Sequence, residues 1–182
     1  GNALANGIIG TAFSDTLDGG GGADILTGGD GADQYKVDNS GDQIVEAGAS
    51  GLDWIFSSVD FDLATTPGVE NITLSGAANV NASGNALVNV ITGNDGNNVL
   101  TAVQGDTVLG GAGNDTLRGS FTSDLLDGGI GADTMAGDAG YDTYIVDNPG
   151  DRVVGVRVDN SDRYGLVKSW ISYTLPTYVE WL

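Results

Sequence analysis

The chain of 182 residues is long enough for one domain, and its 25 acidic against 6 basic side chains give a formal charge of −19. A chain this acidic is not expected to bind nucleic acid, because it cannot neutralise phosphates, and without a run of about 18 apolar residues it is not expected to insert into a membrane. It has no cysteine and no histidine, which excludes a disulfide framework and disfavours a zinc or copper site.

A nine-residue motif, called the nine-residue phrase below, repeats through the first part of the sequence. It reads G-G-x-G-x-D-x-U-x, where U is a large apolar residue, and segment 19–36 (GGGGADILTGGDGADQYK) contains it twice. Its sixth position begins as Asn6 and recurs as Asp15, Asp24, Asp33, Asp42 and, after a two-residue slip, Asp53. The apolar position predicts a short inward-facing strand in each copy, at Ile8, Leu17, Leu26, Tyr35, Ile44 and Ile55. We expect this first array to span residues 1–56.

The middle of the chain loses the aspartates but keeps an apolar alternation. Val59, Phe61 and Leu63 are spaced by two residues, as are Ile72 and Leu74. This spacing predicts strands with one buried face. We therefore expect segment 57–92 to continue the same architecture with different turns.

The nine-residue phrase returns in a second array, which we expect to span residues 93–154. Its sixth position is an amide at Asn89 and Asn98, and is then acidic at Asp106, Asp115, Asp124, Asp133, Asp142 and Asp151. Segment 28–45 (GGDGADQYKVDNSGDQIV) recurs as segment 137–154 (GDAGYDTYIVDNPGDRVV). The chain is therefore nearly two copies of one long unit.

These periods predict an all-β solenoid. Glycine costs about 1 kcal/mol per residue inside a helix, and a nine-residue period does not keep one helical face apolar. Two nine-residue units, each a turn followed by a three-residue strand, complete one coil of eighteen residues. The predicted fold is a right-handed parallel β-roll (β-solenoid) in which each turn stacks on the second turn after it. In this register Asp15 lies over Asp33, and Asp24 over Asp42.

Stacked aspartates require a counter-charge. Carboxylates about 4.8 Å apart repel by roughly 1 kcal/mol in water and by more in less polar surroundings. Glycine-rich turns leave carbonyl oxygens uncovered, and Ca²⁺ takes about 6–8 oxygen ligands in adaptable geometry, whereas Mg²⁺ prefers a tight octahedron. The pattern therefore predicts several calcium ions between the stacked turns.

The phrases GGGGADILT, GGDGADQYK, GGAGNDTLR and GGIGADTMA resemble the hemolysin-type calcium-binding repeats of the RTX (repeats-in-toxin) family of secreted bacterial proteins. The resemblance implies a parallel β-roll, calcium between the turns and export by a type I secretion system. The carboxylate ligands it implies are Asp15, Asp24, Asp33, Asp42, Asp53, Asp106, Asp115, Asp124, Asp133, Asp142 and Asp151. The turns it implies as carbonyl ligands contain Gly19, Gly20, Gly22, Gly28, Gly29, Gly31, Gly110, Gly111, Gly113, Gly128, Gly129, Gly131, Gly137 and Gly140.

Some turns depart from this family pattern. VDNSGD and VDNPGD lack the first two glycines, yet we expect Asp42 and Asp151 to bind as the far half of a site. GTAFSD and GSFTSD also lack two glycines and are expected to be weaker donors. At Asn6, Asn89 and Asn98 we expect a neutral amide ladder in place of an ion, so the coils of 57–92 are expected to be poor in metal.

We interpret the chain as a calcium-binding RTX domain of a secreted protein, located outside the cell or at the bacterial surface. It would fold on calcium binding after export, with calcium ions and the type I secretion machinery as its partners. The chain begins within a repeat, which indicates a piece of a longer protein. We do not expect an enzyme, because Glu46, Glu70 and Glu180 are isolated acids and the aspartates are assigned to metal.

Segment 155–182 leaves further alternatives open. Basic and aromatic residues concentrate in and just before it: Arg152, Arg157, Arg163, Tyr164, Lys168, Trp170, Tyr173, Tyr178 and Trp181. The segment is expected to be a C-terminal cap, because a solenoid end exposes core and strand edges, or an unfinished repeat that associates end to end with another copy. The alternative function is a calcium-stabilised adhesin, surface-layer or glycan-binding module, since aromatic residues at surfaces favour such contacts.

Overall fold

The computed structural model describes residues 1–46, 50–154 and 165–175. In these ranges the chain forms eighteen short strands and one 3-10 helix, Leu63–Thr65. The strands are β1 Gly7–Ile9, β2 Thr16–Asp18, β3 Ile25–Thr27, β4 Gln34–Val37, β5 Gln43–Val45, β6 Trp54–Ser57, β7 Phe61–Asp62, β8 Asn71–Leu74, β9 Ala82–Ser83, β10 Val90–Thr92, β11 Val99–Thr101, β12 Thr107–Leu109, β13 Thr116–Arg118, β14 Leu125–Asp127, β15 Thr134–Ala136, β16 Thr143–Val146, β17 Arg152–Val154 and β18 Leu166–Ser169. No helix in these ranges has the length and apolar character needed to cross a membrane.

The strands alternate between two faces of a roll. All even-numbered strands form one nine-stranded sheet, in the order β18-β16-β14-β12-β10-β8-β6-β4-β2. The odd-numbered strands form a three-stranded sheet, β1-β3-β5, and a six-stranded sheet, β17-β15-β13-β11-β9-β7. Pairing is parallel, and in the repeat arrays each strand bonds to the second strand after it, as where Leu17 pairs with Tyr35 and Leu117 with Met135. The predicted all-β solenoid with coils of about eighteen residues is confirmed.

The core runs along the inside of the roll and is supplied by the central residue of nearly every strand. In β3, Leu26 is fully buried while its neighbour Ile25 is about half exposed. Leu100, Leu117 and Met135 stack on one face of the second array and Leu126 lies on the other, each with no exposed surface. Complete burial of such a side chain stabilises the fold by about 1.5–3 kcal/mol. The apolar residue of each nonapeptide therefore holds the coil closed and fixes where its turn lies.

The coil length changes where the nine-residue period slips. Gln34 of β4 pairs with Trp54 of β6, so the coil between them is longer than the regular coil by the two inserted residues seen in the sequence. The odd-numbered face is divided at the same level, between β5 and β7. At the slip, therefore, one coil is longer and the odd-numbered face is interrupted. This altered coil carries the acidic cluster of the first array.

Two predicted strand positions are wrong. Val59 lies in the bend between β6 and β7. Strand β7 ends at Asp62, and Leu63 begins the 3-10 helix instead of continuing the alternation. Oδ1 of Asp62 accepts a hydrogen bond of 2.9 Å from the backbone N–H of Ala64, which caps the helix. Leu63 nevertheless stays fully buried, so the apolar pattern identified a core residue but not its backbone conformation.

Of the C-terminal segment 155–182, the structure describes residues 165–175. Strand β18 continues the nine-stranded sheet by parallel pairing with β16, and Val167 is buried against the core. Trp170 follows β18 and is largely exposed, whereas the hydroxyl of Tyr173 accepts a hydrogen bond from the backbone N–H of Val153. The remaining basic and aromatic residues of this segment lie outside the described residues: Arg157, Arg163, Tyr164, Tyr178 and Trp181.

Candidate metal-binding ladders

The aspartates of the nonapeptides stack along the roll through one of their two carboxylate oxygens. The backbone N–H of Asp106 donates to Oδ1 of Asp124 at 2.7 Å, and that of Asp115 donates to Oδ1 of Asp133 at 2.7 Å. The first array repeats the contact, from Asp15 to Asp33, from Asp24 to Asp42 and from Asp33 to Asp53. In the second array Asp124 bonds to Asp142, and Asp133 to Asp151. The sequence indicated the stacking but not the amide that links successive carboxylates and offsets part of their repulsion.

The other carboxylate oxygen, Oδ2, divides the turns into two groups. In the first group the turn satisfies its own aspartate: Oδ2 of Asp124 accepts from the backbone N–H of Ser120 at 2.7 Å and from its hydroxyl at 2.9 Å. Equivalent bonds reach Oδ2 of Asp15, Asp42, Asp106 and Asp151 from residues two to four positions earlier in the chain. The glycine pattern is incomplete in each of these five turns.

In the second group Oδ2 is buried and has no hydrogen-bond partner. Its members are Asp24, Asp33, Asp115 and Asp133. They belong to the four turns with the complete glycine pattern, GGGGAD, GGDGAD, GGAGND and GGIGAD. A buried carboxylate oxygen without a partner is unfavourable, because its desolvation is not compensated. These four turns therefore have the chemistry of cation sites.

The complete glycine turns leave Oδ2 bare because their amides bond elsewhere. The backbone N–H of Ile130 donates to the carbonyl of Gly111 in the coil before it, and the N–H of Gly113 donates to the carbonyl of Ile130. Gly129 and Gly131, which flank Ile130, have φ angles of 78° and 154°, a region that residues with a Cβ rarely adopt. The turn amides thus bond to the neighbouring coil or, in the case of Gly129, to Oδ1 of the preceding Asp127, and none of them reaches Oδ2 of Asp133.

A glycine at the first position of the turn keeps space open beside Oδ2. A Cβ built on Gly110 would stand 2.5 Å from Oδ2 of Asp115 and closer still to the carbonyl oxygen of Gly128. A Cβ on Gly128 would likewise collide with Oδ2 of Asp133. A carboxylate oxygen and a carbonyl oxygen from the next coil therefore face one small space. Such hard oxygen donors suit Ca²⁺.

The electrostatics of these carboxylates favour a positive charge nearby. Burial raises the pKa of Asp115 and that of Asp133 to about 6. Burial also raises the pKa of Asp142 to about 7, and the carboxylate of Asp124 adds to the shift. The buried carboxylates therefore bind protons near neutral pH, and a cation supplied to the same oxygens would compete with those protons.

The side-chain amides of Asn89 and Asn98 are hydrogen-bonded through both the nitrogen and the oxygen. Nδ2 of Asn98 donates to the carbonyl of Val80 at 2.6 Å, and its Oδ1 accepts from the backbone N–H of Asn94 at 2.9 Å. Asn89 makes the equivalent bonds to the carbonyl of Glu70 and the N–H of Asn85. Hydrogen-bonded neutral amides thus take the place of carboxylates beside the middle coils.

Two glutamates lie against the aspartate ladder. From the sequence they are expected to be isolated acids, and the structure corrects that interpretation. Oε2 of Glu70 accepts from the backbone N–H of Asp53 at 2.8 Å, so it occupies the place that an aspartate takes elsewhere. Glu46 offers one carboxylate oxygen within 4.8 Å of those of Asp33 and Asp53. Burial raises the pKa of Asp53 to about 6, and the neighbouring carboxylates add to it. Both glutamates fall outside the nonapeptide frame, so the repeat pattern gave no signal for them.

Comparison with known proteins agrees with this geometry. The family model described as RTX calcium-binding nonapeptide repeat (4 copies) matches residues 1–35, 83–106 and 109–144, which is more than half of the chain. No curated protein and no solved structure gives a significant match. The matched segments contain the four turns whose aspartates have an unpartnered oxygen. The chain therefore belongs to the RTX calcium-binding nonapeptide repeat family.

Proposed function

We propose that this chain is a calcium-dependent folding domain, which holds Ca²⁺ between stacked turns and has a structural role without a reaction of its own. The observation that carries the proposal is the set of buried, unpartnered Oδ2 atoms in the complete glycine turns. The aspartates proposed as the principal ligands are Asp24, Asp33, Asp115 and Asp133. Bound calcium would supply the positive charge that these oxygens lack.

The two groups of turns would differ in affinity. Where the turn already donates hydrogen bonds to Oδ2, as Ser120 does to Asp124, an ion must displace or share those bonds. We therefore rank Asp15, Asp42, Asp106, Asp124 and Asp151 as weaker or secondary ligands. The complete glycine turns bind first, because nothing competes there for the second carboxylate oxygen.

The ion would be calcium in preference to magnesium. The donors around each site are carboxylate oxygens and backbone carbonyls on stacked coils, which can supply many oxygens at adaptable distances. Ca²⁺ accepts about 6–8 oxygens at roughly 2.3–2.6 Å, whereas Mg²⁺ requires a near-ideal octahedron and retains water. The absence of histidine and cysteine from the sequence also disfavours ions that prefer nitrogen or sulfur.

Calcium would couple folding to location. A net charge of −19 and several buried carboxylates oppose compaction when no cation is bound. A ligand at tenfold excess over its dissociation constant adds about 1.4 kcal/mol per independent site, so several sites decide between the unfolded and folded states. In the low calcium of a cytosol the chain would remain unfolded and suited to export by a type I secretion system. In the higher calcium outside the cell it would fold.

A calcium titration followed by far-ultraviolet circular dichroism tests this proposal. Starting in calcium-free buffer and ending near 10 mM CaCl₂, we expect a cooperative gain of β-signal, with no equivalent gain in MgCl₂. A spectrum that already shows the complete fold before calcium is added would overturn the calcium-dependent folding. Calcium binding measured on the same sample would then show whether the ions bind without controlling the fold.

A further inference from the structure

Three carboxylates that do not belong to one nonapeptide meet at the slip in the first array. Asp33 lies in the turn before β4, Glu46 follows β5, and Asp53 precedes β6. Each offers one oxygen, and these oxygens all lie within 4.8 Å of one another. Three oxygens at about 2.4 Å from one calcium ion can be up to about 4.2 Å apart when they are evenly spaced, so small side-chain movements bring all three carboxylates to one ion.

The position of Glu46 in the coil explains how it reaches the ladder. Val45 accepts a hydrogen bond from the backbone N–H of Gly28, which places Glu46 beside the turn that begins at Gly28. In the regular coils a glycine occupies this position, as Gly28 does above Gly10. The two-residue lengthening of the following turn accompanies the exchange of that glycine for a residue with a long acidic side chain.

An independent observation indicates a ligand at this point. Asp33 has no exposed surface, and its Oδ2 has no hydrogen-bond partner. The space left by the missing Cβ of Gly28 is bounded by this Oδ2, by the hydroxyl of Tyr35 and by Oε2 of Glu46. The unpartnered oxygen is therefore directed towards the carboxylate of Glu46.

The second copy of the long unit provides an internal comparison. There, Gly137, Asp142 and Tyr144 correspond to Gly28, Asp33 and Tyr35. The hydroxyl of Tyr144 accepts a 3.1 Å hydrogen bond from the backbone N–H of Gly137 and lies near the carboxylate of Asp142. In the first copy the hydroxyl of Tyr35 donates to Glu46 instead, and Asp33 keeps a bare oxygen. One glutamate thus redirects the tyrosine and adds a third carboxylate.

We propose that Asp33, Glu46 and Asp53 form a three-carboxylate calcium site with Glu46 as a ligand from outside the nonapeptide pattern, and that it is the tightest site of the chain. The inference rests on the proposed calcium function and specifies one site within it. Affinity for calcium rises with the number of charged ligands, and the other complete glycine turns do not bring a glutamate to their aspartates in the described residues. This site fills first as calcium rises and fixes the coil at which the odd-numbered face is divided.

Competition with a chromophoric chelator, using the intact chain and CaCl₂, tests the site. The wild-type chain is expected to remove calcium from the chelator through its highest-affinity site, called the tight class. Glu46→Gln should lower the calcium affinity of this site by about tenfold or more. The isosteric amide retains an acceptor for the hydroxyl of Tyr35, so the packing is preserved. Asp133→Asn is the matched control: it removes one weaker ion and leaves the tight class unchanged.

The outcomes separate this inference from the general function. Coincident titrations of Glu46→Gln and the wild type, with an ion lost in Asp133→Asn, would overturn the Glu46 site and leave the RTX function standing. No calcium binding by the wild type would overturn both. Circular dichroism at saturating calcium checks folding, and if Glu46→Gln does not fold, Asp53→Asn decides: loss of the tight class supports the site, and its retention overturns it.

Discussion

The backbone amide of Asp115 donates a 2.7 Å hydrogen bond to Oδ1 of Asp133, one coil further along the roll, while Oδ2 of Asp133 has no partner. The two oxygens of this carboxylate therefore have different roles, one in the structure of the roll and one available to bind a cation. One oxygen holds adjacent coils in register, and the other faces the glycine-lined space between turns. This division connects the repeat to both the stability of the roll and its binding of ions.

Neutralising Asp133 is expected to have opposite effects with and without calcium. In Asp133→Asn the buried unpartnered charge is removed, so the calcium-free roll gains stability, by about 1–3 kcal/mol. At saturating calcium the variant loses one ion and is less stable than the wild type. Without calcium, the concentration of a stabilising osmolyte such as sucrose that is needed to fold the chain should fall in the variant. At saturating calcium, urea unfolding measures the opposite effect.

The control for this experiment is Asp124→Asn. Oδ2 of Asp124 already accepts two hydrogen bonds from Ser120, which an amide nitrogen in that place cannot accept. We expect this variant to be destabilised in both conditions. Equal behaviour of the two variants without calcium would contradict the division of the turns into two groups.

The first glycine of a complete turn should not tolerate a methyl group. In Gly128→Ala the added Cβ would collide with Oδ2 of Asp133, so we expect destabilisation of about 1–3 kcal/mol and loss of the local ion. Gly7→Ala is the matched control, because nothing lies within 4 Å of a Cβ at that position. Calcium binding and thermal unfolding of both variants provide the test. A calcium-binding Gly128→Ala with wild-type stability would show that the space beside Oδ2 is not needed.

Without calcium, the roll should lose stability as pH rises from about 4 to 7. The folded pKa is about 6 for Asp115 and Asp133 and about 7 for Asp142, above the value of about 3.9 for an unfolded aspartate. The folded state therefore binds more protons in this window, and the free energy of unfolding falls as they leave. Calcium should reverse the trend, since it binds the deprotonated form. The concentration of a stabilising osmolyte such as sucrose that folds the calcium-free chain, compared at pH 5 and pH 7.5, measures the first trend. Thermal unfolding at both pH values in saturating calcium measures the second. A calcium-free chain that folds at a lower osmolyte concentration at pH 7.5 would contradict the prediction.

The hydroxyl of Tyr144 should contribute to the stability of the folded, calcium-bound roll. It accepts a hydrogen bond from the backbone N–H of Gly137 and lies near the carboxylate of Asp142. Tyr144→Phe leaves the Gly137 amide without this partner, so we expect a loss of about 1–2 kcal/mol in chemical unfolding at saturating calcium. Tyr141→Phe, at a largely exposed tyrosine, should change little. Similar losses in the two variants would show that the buried hydroxyl has no special role.

The nine-residue period was sufficient to predict the main architecture. Because a strand alternates with period two and glycine ends it, the spacing of Leu17, Leu26 and Tyr35 fixed which residues face the core and which turn stacks on which. The stacking of Asp15 over Asp33 followed from the same period. Leu63 was misassigned to a strand because apolar spacing reports burial, whereas a short capped helix depends on the local hydrogen bond from Ala64 to Asp62.

The sequence by itself determined the roll, its register and the composition of its turns, because these depend on local conformation repeated at a constant interval. Only the tertiary structure decided which carboxylate oxygens are left without partners, because hydrogen bonds to Asp124 and Asp133 depend on the directions of nearby amides. It also decided that Glu46 meets Asp33 and Asp53, since a two-residue slip changes which side chain lies above a turn. The nine-residue period predicts the contacts that recur in every coil, whereas the contact of Glu46 with the ladder depends on the two-residue slip that interrupts the period.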